Sequence, residues 1–303
     1  MGIVGTKNNH QRKPDSGSRQ IEEDISKGSA QPLIALKRKI EAEGAGNVPH
    51  FKFYSEGLVI PPEISAKQLQ RLHNIQVPAK VDKVLRRLER LNSTWAIKQE
   101  KLTAEERKVW MPNNEMRLWQ IPRRTGLFLH WMASQTKARE ILELGTSAGY
   151  SGIWQAMGAK PNDGIVHTAD MSMLKIGMAS KNIEAAGIEN LVQLRGTIVE
   201  VLQSWHKPID MIFLDADKQN YASYLKMALP KLKVGGYVIA DNAIDFMEHM
   251  EGLISILRDG AKQQGKLYSY VLHLDNGIYI IRKGEPIDNG IVTSFFNART
   301  ELF

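Results

Sequence analysis

The chain has 303 residues, 43% of them hydrophobic, enough for one large domain with an extension or for two small domains, and no run of eighteen apolar residues offers a membrane span. It has no cysteine, which excludes disulfides, zinc thiolates and thiol nucleophiles and fits a reducing compartment, so a cytoplasmic location is expected. Nearly all of the net charge of +7 sits in residues 61–130, a skew that marks either a polyanion surface or a solvated basic helix.

Residues 1–31 are polar and poor in aromatics, and are expected to be a disordered tail. Their start, MGIVGT, fits the acylation pattern of Gly2 with Thr6, a match short enough to arise by chance. Residues 32–115 read as a helical N-terminal extension or cap. Within it, Val81, Val84, Leu85, Leu88 and Leu91 recur at helical spacing, opposite Lys83, Arg86, Arg87 and Arg90. Thr103 with Glu106 has the form of a capping box that opens a further helix.

The texture changes in residues 116–303. Apolar β-type runs recur at 140–144, 164–170, 191–195, 210–215, 237–241, 268–274 and 277–282, with helical stretches between most of them. This alternation predicts an α/β domain, a doubly wound, mostly parallel, seven-stranded sheet covered on both faces. Asp275-Asn276-Gly277 is a hairpin signal, so the last strand is expected to run antiparallel.

The first strand ends in ILELGTSAGYS, residues 141–151. A phosphate-binding P-loop is excluded, because no Gly-Lys-Ser/Thr follows. A dinucleotide loop is spaced G-x-G-x-x-G, whereas here the spacing is Gly145-x-x-x-Gly149. S-adenosylmethionine has no pyrophosphate to cradle and does not require the second close glycine. Asp170 ends the next strand, where an acid can grip both hydroxyls of a ribose. That acid would serve NAD equally well, so it does not by itself separate the two cofactors.

Four stretches in this order, TGLFL (125–129), LELGTSAGYS (142–151), FLDADKQNY (213–221) and GGYVIADN (235–242), closed by LDNGIYIIRK (274–283), resemble the metal-dependent class I O-methyltransferases. That group includes catechol and caffeoyl-CoA O-methyltransferases and bacterial tRNA-hydroxyuridine methyltransferases. The resemblance spans about 117–284 and implies a Rossmann-like methyltransferase fold with S-adenosylmethionine as cofactor. It also implies that Glu143, Gly145, Ser147, Tyr150 and Ser151 surround the methionine end, Asp170 holds the ribose, and Thr197 and Ile198 lie near the adenine.

Asp215, Asp241 and Asn242 are then expected to converge at the ends of adjacent strands. They are hard oxygen ligands suited to Mg²⁺, Mn²⁺ or Ca²⁺ rather than zinc. Lys218, three residues after Asp215, is the candidate for handling the proton of the acceptor hydroxyl. The expected function is O-methyl transfer to a small phenol or vicinal diol. An RNA methyltransferase using the basic segment is the alternative, and a non-catalytic binding protein on the same fold comes third.

Several positions depart from the family pattern. Thr125 stands where an acid is usual, behind Arg123 and Arg124, which would either favour an anionic substrate or simply be surface. After Asn242 the chain runs AIDFMEHMEGL, with no Trp-containing loop, and Tyr270 falls near the second-hydroxyl acid of catechol enzymes. Trp119 reads as a core residue, with a place on the acceptor pocket, beside Gln120, as the other reading. The apolar tail IVTSFFNARTELF is expected either to build a homodimer interface or to fold back on the domain.

Overall fold

The computed structural model describes residues 58–59, 65–100, 117–246, 249–262, 267–272, 274–288, 290–291 and 294–295. All of them belong to one compact unit, Pro49–Phe303. The tail with Gly2, and the Thr103–Glu106 pair, lie outside the described residues.

Strand β1 (Leu58–Val59) is followed by helices α1 (Ala66–Leu72) and α2 (Ala79–Glu100), then α3 (Arg123–Gln135). From there strand and helix alternate: β2 (Glu140–Leu144), α4 (Tyr150–Ala159), β3 (Ile165–Asp170), α5 (Met173–Ala186), β4 (Leu191–Arg195) and α6 (Ile198–Ser204). The chain continues with β5 (Ile209–Leu214), α7 (Tyr221–Ala228), β6 (Leu232–Asp241), α8 (Glu251–Lys262), β7 (Leu267–Leu272) and β8 (Ile278–Lys283).

The sheet order is β1-β7-β8-β6-β5-β2-β3-β4. The seven expected strands are all present, and the two-residue β1 pairs in parallel with β7 at the edge. β8 is antiparallel to both of its neighbours, β6 and β7. Ile141, Met211, Phe213, Ile239 and Ile280 join one continuous core with residues of α1 to α4. The alternate residues Leu142, Leu144, Ile212, Leu214 and Val238 are just as buried, so both faces of the sheet are covered.

Helix α2 is packed into the domain along Val81, Val84, Leu85 and Leu88, but Leu91 is 40% exposed. At 100° per residue Leu91 lies at the margin of that stripe, and the next central position is Asn92. The C-terminal segment folds back: Phe295 is fully buried between His73, Phe128 and Trp131. The Trp131 indole N–H donates to Ile291 O at 3.0 Å.

Candidate active site

The chain winds outward from β2 in one direction through β3 and β4, and in the other through β5 and β6. Ligands in such sheets bind beyond the strand ends where the order reverses. Leu144 pairs with Ala169 of β3 and with Leu214 of β5, which brings Gly145, Asp170 and Asp215 to one edge.

The loop from β2 to α4 is tightly held. Gly145 adopts φ +115°, and a Cβ there would stand 2.1 Å from Asp215 O, so the position requires glycine. Gly145 and Thr146 N–H groups donate to Ala169 O at 3.0 and 3.2 Å. Ser147, at φ +43°, donates its N–H to Asp170 Oδ2 at 2.9 Å and its hydroxyl to Leu118 O at 2.5 Å. Asp170 Oδ1 accepts from Ser172 N at 2.9 Å, and each of its oxygens keeps a lone pair for a ligand hydroxyl. Gly149, at φ +84°, precedes Tyr150, which opens α4. Thr197 caps α6, its hydroxyl accepting from Glu200 N, and Ile198 follows.

On the other side of the cavity, the Lys218 ammonium pairs with Asp215 Oδ1 at 2.8 Å, and its side chain is 13% exposed. It does not pair with Asp217, whose Oδ1 accepts from the Tyr224 hydroxyl at 2.7 Å. Asp241 is 3% exposed, and its Oδ1 is buried with no hydrogen-bond partner. Burial, then the nearby charge of Asp215, pushes its carboxyl well above the ordinary carboxylate range. Asn242 follows at φ +63°. No cluster of three or more His, Cys, Asp or Glu side chains is arranged to hold a metal among the described residues, and the expected ligands Asp215, Asp241 and Asn242 line the cavity as two carboxylates and an amide. An orphaned buried carboxylate oxygen beside a second carboxylate fits a hard divalent cation.

All the candidates except Glu143 line one cavity of ≈1100 Å³. Glu143 is fully buried behind the loop, where it accepts from Gln155 Nε2 at 2.7 Å and Thr168 Oγ1 at 2.5 Å. Burial raises its pKa to about 7, against the opposing hydrogen bonds from Ser151 and Thr168. Its side chain therefore shapes the loop from beneath instead of standing at the cavity wall.

The core reading of Trp119 is overturned. The residue is 49% exposed at the cavity, its ring covered by the Arg117 guanidinium at 4.1 Å. Its φ of +46° turns the side chain outward, while Leu118 and Ile121 on either side take the core positions. Gln120 also lines the cavity, with a buried Oε1 that has no partner.

Neither Arg123 nor Arg124 lines the cavity. Arg123, 16% exposed, pairs with Asp82 and with Glu89, and Arg124 pairs with Asp275. Asp275 also accepts from the Thr125 N–H and hydroxyl, so the usual acid of that stretch is replaced by one from the β7–β8 turn. Tyr270 is a buried residue of β7.

Residues 93–283 match the family model described as O-methyltransferase. A catechol O-methyltransferase of Niastella koreensis is 41% identical over 124 residues, which cover 39% of this chain and 56% of that protein. The chain thus spans about half the length of the curated relatives it matches. Among solved structures, a putative O-methyltransferase from Klebsiella pneumoniae aligns with TM-score 0.54 at 23% identity, covering 73% of this chain and 96% of that one. An O-methyltransferase from Bacillus cereus, solved in complex with SAH, aligns with TM-score 0.53 at 24% identity, covering 71% and 96%. At these identities the two structures speak for the fold.

Proposed function

The chain belongs to the O-methyltransferase family, and from that premise we propose that it transfers the methyl group of S-adenosylmethionine to a hydroxyl of a small phenolic or vicinal-diol acceptor. One observation supports this most: the strained loop with Asp170, and the Asp215–Lys218–Asp241–Asn242 group, open into the same cavity. In this reading Gly145, Ser147, Tyr150 and Ser151 surround the methionine end, Asp170 holds the ribose, and Thr197 and Ile198 flank the adenine. Trp119 offers a flat apolar face at the cavity to an aromatic acceptor.

Asp215, Asp241 and Asn242 would hold a Mg²⁺-like ion. When bound, such an ion supplies Lewis acidity that lowers the pKa of a chelated hydroxyl. The chain itself supplies position and charge. Lys218, fixed by Asp215, favours the oxyanion that forms and steers its departing proton. The loop presents the sulfonium methyl to that oxygen. The C–O bond forms as the C–S bond breaks, and the electron pair stays on sulfur. Holding both reactants in one cavity removes much of the entropic part of the barrier.

The test is transfer of labelled methyl into a panel of polyhydroxylated phenols and, in parallel, into bulk tRNA, each with Mg²⁺ and with EDTA. The expected outcome is metal-dependent label in at least one phenol. Label confined to tRNA would replace the acceptor class, and transfer that ignores EDTA would remove the metal.

A further inference from the structure

The loop that meets the cofactor contains three positive-φ residues in five, one of which, Ser147, is not a glycine. A backbone of this kind persists only where its surroundings over-determine it. Two of the outside contacts come from a single element, helix α2. Glu89 Oε1 accepts from the Tyr150 hydroxyl at 2.7 Å and from Arg123 Nη1 at 2.9 Å. Arg87 Nη2 donates to Asn182 Oδ1 at 2.5 Å, and Asn182 Nδ2 in turn donates to Ala148 O at 2.8 Å. The first contact grips the residue that follows the loop, and the second grips the loop backbone through α5. Both start before residue 93, where the family match begins.

We propose that Glu89 and Arg87 are positioning residues for the cofactor loop, so that helix α2 is a working part of the cofactor site rather than a cap. The assignment deepens the proposed function and rests on its cofactor reading. Glu89 has the larger share. Its carboxylate neutralises the mostly buried Arg123 and satisfies a buried phenol at once, and Tyr150 carries the effect into the cavity it lines. Arg123 completes the arrangement by also pairing with Asp82, one helical stretch earlier on α2. Glu89, Arg123 and Tyr150 therefore act as a unit, and their losses will not add.

The experiment measures binding of S-adenosylhomocysteine to the full chain by calorimetry, alongside the thermal midpoint of each variant. Glu89→Ala is expected to bind at least about tenfold more weakly, the loss of one hydrogen bond to a charged group. Glu89→Gln keeps an acceptor at the same place and should recover part of that loss. Tyr150→Phe, the variant that disturbs folding least, should bind more weakly too. The double variant Glu89→Ala/Tyr150→Phe should be no worse than Glu89→Ala alone. Val84→Ala, on the buried face of the same helix, controls for general destabilisation. Affinity unchanged in Glu89→Ala, or weakened equally by Val84→Ala at a matched loss of thermal midpoint, would overturn the assignment. A wild-type chain that fails to bind would instead overturn the cofactor reading. Amide exchange at Ser147 and Gly149 needs no ligand, and in that case it still decides the role of the struts: faster exchange in Glu89→Ala supports it, and unchanged exchange sinks it.

Discussion

Asp241 has the least comfortable surroundings of any carboxylate in the cavity, buried beside Asp215 with one oxygen unanswered. Without a cation this is a source of instability, since a buried charge is tolerated only when compensated. Asp241→Asn is therefore expected to raise the thermal midpoint of the EDTA-treated protein by about 2–4 °C, roughly the effect of 1 kcal/mol in a unit of this size. Under the proposed metal site, Mg²⁺ is expected to stabilise the wild type by binding its native state, and the same variant should lose that stabilisation. Thermal unfolding with Mg²⁺ and with EDTA reads both effects. His130, in α3, makes a second residue-level prediction. Burial, only partly offset by a hydrogen bond to the Trp154 backbone, lowers its pKa from 6.5 to about 4. The folded state therefore holds fewer protons than the unfolded state between those values, and stability rises with pH there. Moving from about pH 7 to about pH 5 should remove about 2 kcal/mol through this group. Urea unfolding of His130→Gln at the two pH values should show that part of the slope gone.

At the scale of elements, two glycines predict effects of opposite sign. Gly145→Ala drives a Cβ into the Asp215 carbonyl at a φ that L-residues avoid, so it should lower stability by about 1–3 kcal/mol or more and abolish cofactor binding. Gly177, in α5, has nothing within 4 Å of the corresponding Cβ, and Gly177→Ala should stabilise by about 0.5–1 kcal/mol. Denaturant titration of the two variants checks both signs. The central strands were legible because parallel strands buried on both faces appear as apolar runs, as in MIFL of β5 and YVIA of β6, and the stretches EILEL and LVQLR also match β2 and β4 residue for residue. The cavity residues at the ends of β2, β3, β5 and β6 were legible for the same reason, since a strand end fixes where the next side chain stands. Glu143 is buried behind the cavity wall, a placement that period two alone does not foretell, since an acid near a strand end can point toward either face. Trp119 misled because its outward turn depends on a positive φ that no residue type at that position announces. The Glu89 contacts join residues 34 and 61 apart in sequence, which no local pattern encodes.

At the scale of the whole molecule, the chain is tied together at its late end. Phe295 stacks on His73 with centroids 4.9 Å apart, and its carbonyl lies 2.9 Å from His73 Nε2, joining the C-terminal segment to α1. Phe295→Ala should cost about 3–5 kcal/mol, the usual range for a fully buried phenylalanine. Truncation before Ile291 should lower the urea midpoint by at least as much, because the partner of the Trp131 indole goes with it. The placement of β8 also constrains how the protein is made. Its register sets Asp241 opposite Ile278, and it separates β6 from β7, although both of them leave the ribosome first. A nascent chain stopped short of Ile278 would expose the β6 edge, a template for pairing with the wrong strand. The backbone of the residue proposed to grip the metal would still be unpaired. At translation rates of about 5–20 residues per second the interval is short. Through it the half-built sheet keeps an open edge that only β8 closes, between two strands made before it.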